Sequence, residues 1–239
     1  MNFKSKRYKP RYKQFIVLRE NVVNSPKLFN FKKKKWLGLR RKFINLQRFK
    51  YKRVKFSHGS YQLTRNAKYL SNNFRSFLAT KKRLKLFYGN PTEKYFKRQF
   101  QIAAVEAKLT RNVRRKEDLL VSNFERRLDS ILFRCHFSRS FRQLKQIISH
   151  GNVLVNDKTI VCAKYSVKLG DIITLDPKVH SFIKKNVIKS NFWPFPPSYL
   201  QVNYKTFTVI IADDISISHF STSFPFWLNL KNIFYNYSY

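Results

Sequence analysis

The chain has 239 residues and a formal net charge of +38, with 50 Lys and Arg against 12 Asp and Glu, 43% hydrophobic residues and 17% aromatics. That apolar content excludes an intrinsically disordered tail, and the length allows one large or two small cores. The charge argues against an indifferent soluble protein, because self-repulsion at this density calls for a polyanion; nucleic acid is the first candidate, ahead of an anionic membrane surface.

Residues 1–92 hold one acid, Glu20, and 27 Lys and Arg. They are expected to include a basic arm, residues 1–80, that orders fully only on its partner. Around Trp36 the apolar residues Leu37, Leu39, Phe43, Ile44, Leu46, Phe49 and Tyr51 interleave with cations. Packing as one helix face is the preferred reading there over stacking on bases. The start of the chain shows no signal-peptide core, so secretion is not expected. No apolar run is long enough to cross a bilayer, so no membrane insertion is expected either.

From residue 81 the pattern turns regular. Thr92, behind Pro91, is a fitting N-cap for a helix over 93–108 whose Phe96, Phe100, Ala103, Ala104 and Ala107 share a face. A second helix is predicted over Lys116–Phe124, and a third over Leu128–Cys135 with Leu128, Ile131, Leu132 and Cys135 inward. In "FSRSFRQLKQIISHGNVLVND" (137–157), Ser140 and Gln143 have the spacing of a capping box. Phe141, Leu144, Ile147 and Ile148 form its inward face, and Arg142, Lys145, Gln146 and Ser149 the opposite one. Gly151 suits the left-handed position past the helix end. Val153–Val155 and Thr159–Val161 read as a hairpin about the turn pair Asn156-Asp157.

Farther on, Gly170-Asp171 marks a turn before a strand through Ile172 to Leu175, and Pro194, Pro196 and Pro197 forbid a continuous helix in a connector. Residues from Gln201 onward alternate well enough for strands. Cys135 and Cys162 lie in no CxxC or Cys/His cluster, which predicts two small core residues and neither a metal site nor a disulfide framework.

The runs "RRLDSILFRCHF" (126–137), "SFRQLKQIISHGNVLVND" (140–157) and "YSVKLGDIITL" (165–175), in that order, resemble the small RNA-binding module of the ribosomal protein S-four family. The flanks "KKRLKLFYGNPTEKYFKRQFQIAA" (81–104), "PSYLQVNYKTFTVII" (197–211) and "LNLKNIFYNYS" (228–238) resemble that family's segments around the module. The chain departs from the pattern where Phe141 stands for an Arg, where Asp157 stands for the hairpin Gly, and in lacking the N-terminal zinc cysteines of some members. The resemblance implies an α+β protein with a mostly helical basic N-terminal region, an inserted module of helices followed by a hairpin and closing strand, and a strand-rich C-terminal segment. The implied boundaries are an arm over 1–80, a helical segment over 81–124, the module over 125–180, and over 181–239 a connector and tail packing back on the helical segment.

It further implies a structural constituent of the small ribosomal subunit with no catalytic step, cofactor, metal or small-molecule substrate. Its partners would be small-subunit rRNA, neighbouring small-subunit proteins and mRNA where it enters. Residues rich in A/T codons and a weakly matching N-terminus favour a mitochondrial ribosome, with a chloroplast or bacterial one as the alternative. The candidate RNA-binding residues are Arg126, Arg127, Arg134, Arg139, Ser140, Arg142, Lys145, Gln146, Ser149, His150, Asn156 and Lys158. Glu125 offers Arg126 and Arg127 a competing ion pair, and Ser149 and Asn156 have a competing role in satisfying turn backbone. A freestanding RNA-binding assembly or rescue factor is the rival reading. A pseudouridine synthase, suggested by Asp129 within "RRLD", is a weaker one because no catalytic domain follows.

Overall fold

The computed structural model describes residues 18, 22, 71–111, 113–190, 195–215, 230, 233 and 234. The aromatic stretch about Trp36, nearly all of the arm and most of the final segment lie outside these described residues. Two compact units are present, one of residues 1–87 with 225–233 and one of 88–224 with 234–239. The first contains α1 (Ser71–Phe87), with Leu84 and Phe87 buried and Arg83 donating from Nη2 to the Leu18 carbonyl at 3.3 Å.

The second unit opens with α2 (Glu93–Leu109), capped as expected by Thr92, whose hydroxyl accepts from the Tyr95 amide. Such a cap is worth about 1 kcal/mol. Phe96, Phe100, Ala103 and Ala107 are buried, and Phe96 packs on Phe124 of α3 (Lys116–Glu125). Phe234 lies 4.8 Å from Phe100, which brings one C-terminal residue back onto this helical pair.

Helix α4 (Leu128–Arg134) has no side-chain cap. The orphan amides of its first turn are met instead by the 163–167 segment: Leu128 donates to the Tyr165 carbonyl at 2.9 Å and Asp129 to that of Ala163 at 3.2 Å. Val167 answers with a 2.8 Å bond to the Arg126 carbonyl, so the segment is fastened along the helix start. Cys135 is buried as expected, and burial pushes its thiol pKa up; Cys162 lies exposed just before this fastened segment, against expectation.

Helix α5 (Phe141–Ser149) begins at Ser140, whose hydroxyl accepts from the Gln143 amide at 3.4 Å. The return arm of the predicted capping box runs differently. Ser138 Oγ donates to Gln143 Oε1 at 2.6 Å and accepts from the Ser140 amide, so one hydroxyl relays what Gln143 was expected to do alone. At the other end Gly151 has φ +75°, with its amide on the Ile148 carbonyl and that of Asn152 on Ile147, a full Schellman closure. Leu144, Ile147 and Ile148 are buried, whereas Phe141 is half-buried and stacks on Phe133 at 4.3 Å.

The hairpin of β1 (Val153–Val155) and β2 (Lys158–Thr159) turns on Asn156 and Asp157, both at positive φ. That is the pattern of a type I′ turn, which Asn and Asp tolerate better than other non-glycines. The returning strand is shorter than expected and starts at Lys158. β1 also pairs antiparallel with β3 (Ile172–Leu175), Val155 opposite Ile173.

Two findings correct the expected layout. A helix, α6 (Pro177–Ser190), follows β3 directly; the Asp176 carboxylate accepts from the Lys178 amide, with Pro177 at the first helical position. The C-terminal strands β4 (Leu200–Asn203) and β5 (Thr208–Ile211) then join the module's own sheet, a pairing the expected layout lacks, while Asp214 and Phe234 beyond them touch Arg114 and Phe100 of the helical segment. The sheet order is β2-β1-β3-β5-β4, all antiparallel, with Ile173 opposite Val209. Val153, Val155, Ile173, Leu175, Val209 and Ile211 are buried, while Phe137 meets Phe207 edge-on and accepts a bond from Asn186 at its carbonyl. Helix, hairpin and tail therefore share one core, which holds α5 rigid. Among the described residues no helix is long and apolar enough to cross a membrane.

Candidate nucleic-acid interface

Arg142, Gln146 and Ser149 sit four and three residues apart on α5 and are exposed, with His150 beyond them at the C-cap. Arg139 is exposed just before the cap, and Lys158 is exposed on β2. These residues form the surface that the sequence pattern pointed to. Lys145 is half-buried, and its Nζ reaches the Gly89 carbonyl at 3.3 Å, so it also ties α5 to the corner before α2. Ser149 Oγ donates back to the Gln146 carbonyl, and Ser140 serves as the cap.

Four candidates are placed elsewhere. The Asn156 side chain donates to Asp171 Oδ1 at 2.9 Å and accepts from the Ile172 amide at 3.0 Å, so it pins the hairpin turn to the head of β3. Arg126 pairs with Asp214 at 2.9 Å rather than with Glu125, and Arg114 holds the same carboxylate at 2.7 Å. Arg127 is buried against Asp129 at 2.6 Å. Arg134 is turned inward onto Glu125 through Nε at 3.0 Å and Nη2 at 2.7 Å. Burial withholds Arg127 and, nearly so, Arg134 from a surface partner, whereas Arg126 and Asn156 stay at the surface with part of their donor capacity spent on Asp214 and on the hairpin turn.

Glu125 is fully used, since Tyr88 donates to it at 2.7 Å and Tyr199 at 3.2 Å. Burial first, and then the Glu125 charge, push the pKa of both tyrosines up. Burial works against the Arg134 charge, yet the Glu125 carboxylate more than offsets it and raises the guanidinium pKa. The Asp129 pKa is raised because desolvation outweighs Arg127. Asp214 is the opposite case. Its partial burial favours the neutral acid, but the hydrogen bond from Arg126 and the charge of Arg114 hold its pKa below the ordinary 3.8.

Because its folded pKa is lowered, the Asp214 clamp contributes fully above pH 3.8 and is lost as pH falls below that value. Asp214→Asn is therefore expected to lower the denaturation midpoint slightly near neutrality, by less than about 1 kcal/mol given its exposure. The variant and wild-type midpoints should converge in strong acid. A gap that persists there would assign the effect to the amide and not to the charge.

Exposed cations outside the expected set stand on α2, where Lys94, Lys97, Arg98 and Lys108 share the side opposite the buried Phe96 and Phe100. The complement of the apolar stripe was the signal that could have found them.

The description "S4 domain" matches residues 126–173, the stretch from the end of α3 through β3. The small ribosomal subunit protein uS4m of Marchantia polymorpha is 34% identical over 145 residues, covering 59% of this chain and 69% of that protein. The chain belongs to the uS4 family. Among other uS4 relatives, that of Aquifex aeolicus is 35% identical over 133 residues, 54% of this chain and 59% of its own length. The uS4m of Reclinomonas americana is 32% identical over 172 residues, 69% of this chain and 66% of its own length. These matches thus leave roughly a third or more of each uS4 relative outside the alignment. The S4 domain match encloses α4, α5 and the hairpin, and so encloses the exposed stripe of Arg142, Gln146 and Ser149.

Proposed function

We propose that this chain is a structural constituent of the small ribosomal subunit that docks on small-subunit rRNA through α5, helps nucleate assembly of the subunit, and lies near where mRNA enters. The observation that carries this reading is the exposed stripe of Arg142, Gln146 and Ser149 on a helix fixed at both ends, inside the matched S4 domain of a chain with net charge +38. Guanidinium and amide donors on a rigid face suit phosphate and 2′-hydroxyl oxygens, which report RNA shape more than its sequence. The role is one of binding, with neighbouring small-subunit proteins as further partners and no catalytic step. The mitochondrial ribosome is the proposed location, supported by the codon-biased composition and by relatives named uS4m.

Sucrose-gradient fractionation of mitochondria at moderate and high salt tests this directly. The chain should migrate with the small subunit and persist in the assembled ribosome; recovery only at the top of the gradient would favour a freestanding factor. In purified form its affinity for small-subunit rRNA should fall steeply with salt. Arg142→Ala should reduce the log-log slope by about 0.7–0.9 for a lost phosphate contact. An unchanged slope would remove Arg142 from the interface.

A further inference from the structure

A cleft of about 310 Å³ opens between α2, α3 and the 163–167 segment, and none of its lining residues belongs to α5. Arg98, Gln99, Glu106, Asn123 and Lys164 line it together with Tyr95. Its walls are fixed, because the 163–167 segment is bonded by backbone to residues 126–129 and α2 packs on α3 through Phe96 and Phe124. That volume is at the small end for ligand pockets and suits one splayed nucleotide better than a paired one.

Glu106 is the residue that a simple phosphate cleft does not explain. It shares the cleft with two cations, yet among the described residues its carboxylate accepts only from Asn123, Nδ2 to Oε2 at 3.2 Å. A carboxylate repels phosphate and can only accept hydrogen bonds, so facing RNA it selects a base edge that donates. Guanine alone among the four bases offers two parallel donors, N1–H and the 2-amino group, matched to the two oxygens of one carboxylate. Stacking is not the alternative here: Lys164 Nζ already lies 4.8 Å from the Tyr95 ring centroid and the Arg127 guanidinium 5.3 Å from it. The base would be held by its edge.

We propose that this cleft takes one unpaired guanosine of the RNA, with Glu106 accepting from N1–H and the 2-amino group while Arg98 and Lys164 neutralise the adjoining phosphate. The proposal rests on the reading of the chain as an RNA-binding protein and names a base-selective site within it. The test uses the full chain and short single-stranded uridine oligonucleotides carrying one guanosine, inosine or adenosine. Guanosine should bind about tenfold or more tighter than adenosine, as expected for a bidentate pair, and inosine, which lacks the 2-amino group, should fall between. Glu106→Gln, which keeps the side-chain shape, should erase the ranking, and Arg98→Ala should weaken all three alike. Equal affinity of the wild-type chain for the three oligonucleotides, or a ranking that survives Glu106→Gln, would overturn the proposal. Free GMP binding as tightly as the guanosine oligonucleotide would overturn RNA as the source of the base. Failure of the wild-type chain to bind any RNA would strike the broader RNA-binding reading instead.

Discussion

Arg134→Ala is expected to destabilise the protein by about 3–5 kcal/mol, the usual consequence of leaving a buried charge without its partner. The partner is Glu125, whose side chain is fully buried and which accepts two bonds from Arg134 and one each from Tyr88 and Tyr199. Four segments converge on that carboxylate: the turn between α1 and α2, the end of α3, the end of α4 and the residue before β4. Removing the guanidinium leaves Glu125 with two neutral phenols as its remaining side-chain donors, in a site where water is excluded. Arg134→Lys should recover only part of the loss, because an ammonium cannot make the two parallel bonds of the fork. Arg142→Ala supplies the contrast. Arg142 is exposed on α5, and its loss should change stability by no more than about 0.5 kcal/mol while weakening RNA binding. Denaturant midpoints of the RNA-free chain measure the first effect and salt-dependent RNA affinity the second. If Arg134→Ala unfolded with the wild-type midpoint, the Glu125 network would not be holding these segments together.

The two arginines look alike in sequence, and this marks the limit of what the sequence makes legible. Both lie on helices of the module among apolar residues at helical spacing. What separates them is the position of Glu125, nine residues before Arg134, together with two tyrosines from distant segments. Local signals were read well wherever the chemistry is local: Thr92 and Ser140 as caps, Gly151 as a helix end, Asn156-Asp157 as a turn. Helix α6 was also legible, since Asp176-Pro177 is a helix-start pair and Val179, Phe182, Ile183 and Val187 recur at helical spacing behind it, yet the sequence reading assigns no helix there. The pairing of β3 with β5 was not legible. Alternation in "FTVII" predicts a strand and says nothing of its neighbour, and the partners Ile173 and Val209 are far apart in the chain. The stripe on α5 was found because burial of Leu144, Ile147 and Ile148 fixes what the other side must be. The cleft with Glu106 was not found, because its walls come from three stretches that only the fold assembles.

Gly89→Ala is the second substitution expected to act strongly, by about 2–5 kcal/mol, and it acts through geometry alone. Gly89 has φ +69°, a backbone that costs an L-residue about 1–2 kcal/mol. A Cβ there would stand 2.6 Å from Phe141 Cγ and 2.7 Å from its Cβ. Those atoms are near the backbone of α5 and cannot swing aside, so the helix or the corner must shift, with an overpacking cost of about 1–3 kcal/mol. The Lys145 bond to the Gly89 carbonyl would be disturbed by the same shift. The two contributions can be separated with Phe141→Gly, which removes the Cβ as well as the ring, whereas Phe141→Ala would leave the Cβ at 2.7 Å. Phe141→Gly alone loses the stack on Phe133, but in the background of Gly89→Ala it also opens the space the methyl needs. The double variant should therefore be more stable than the sum of the single effects by about 1–3 kcal/mol, leaving only the backbone strain uncorrected. Strict additivity in denaturant midpoints would mean that Gly89 matters for its backbone angle and not for the closeness of α5. Coupling of the expected sign would mean that the corner before α2 sets where α5 sits, and with it where Arg142 and Gln146 meet RNA.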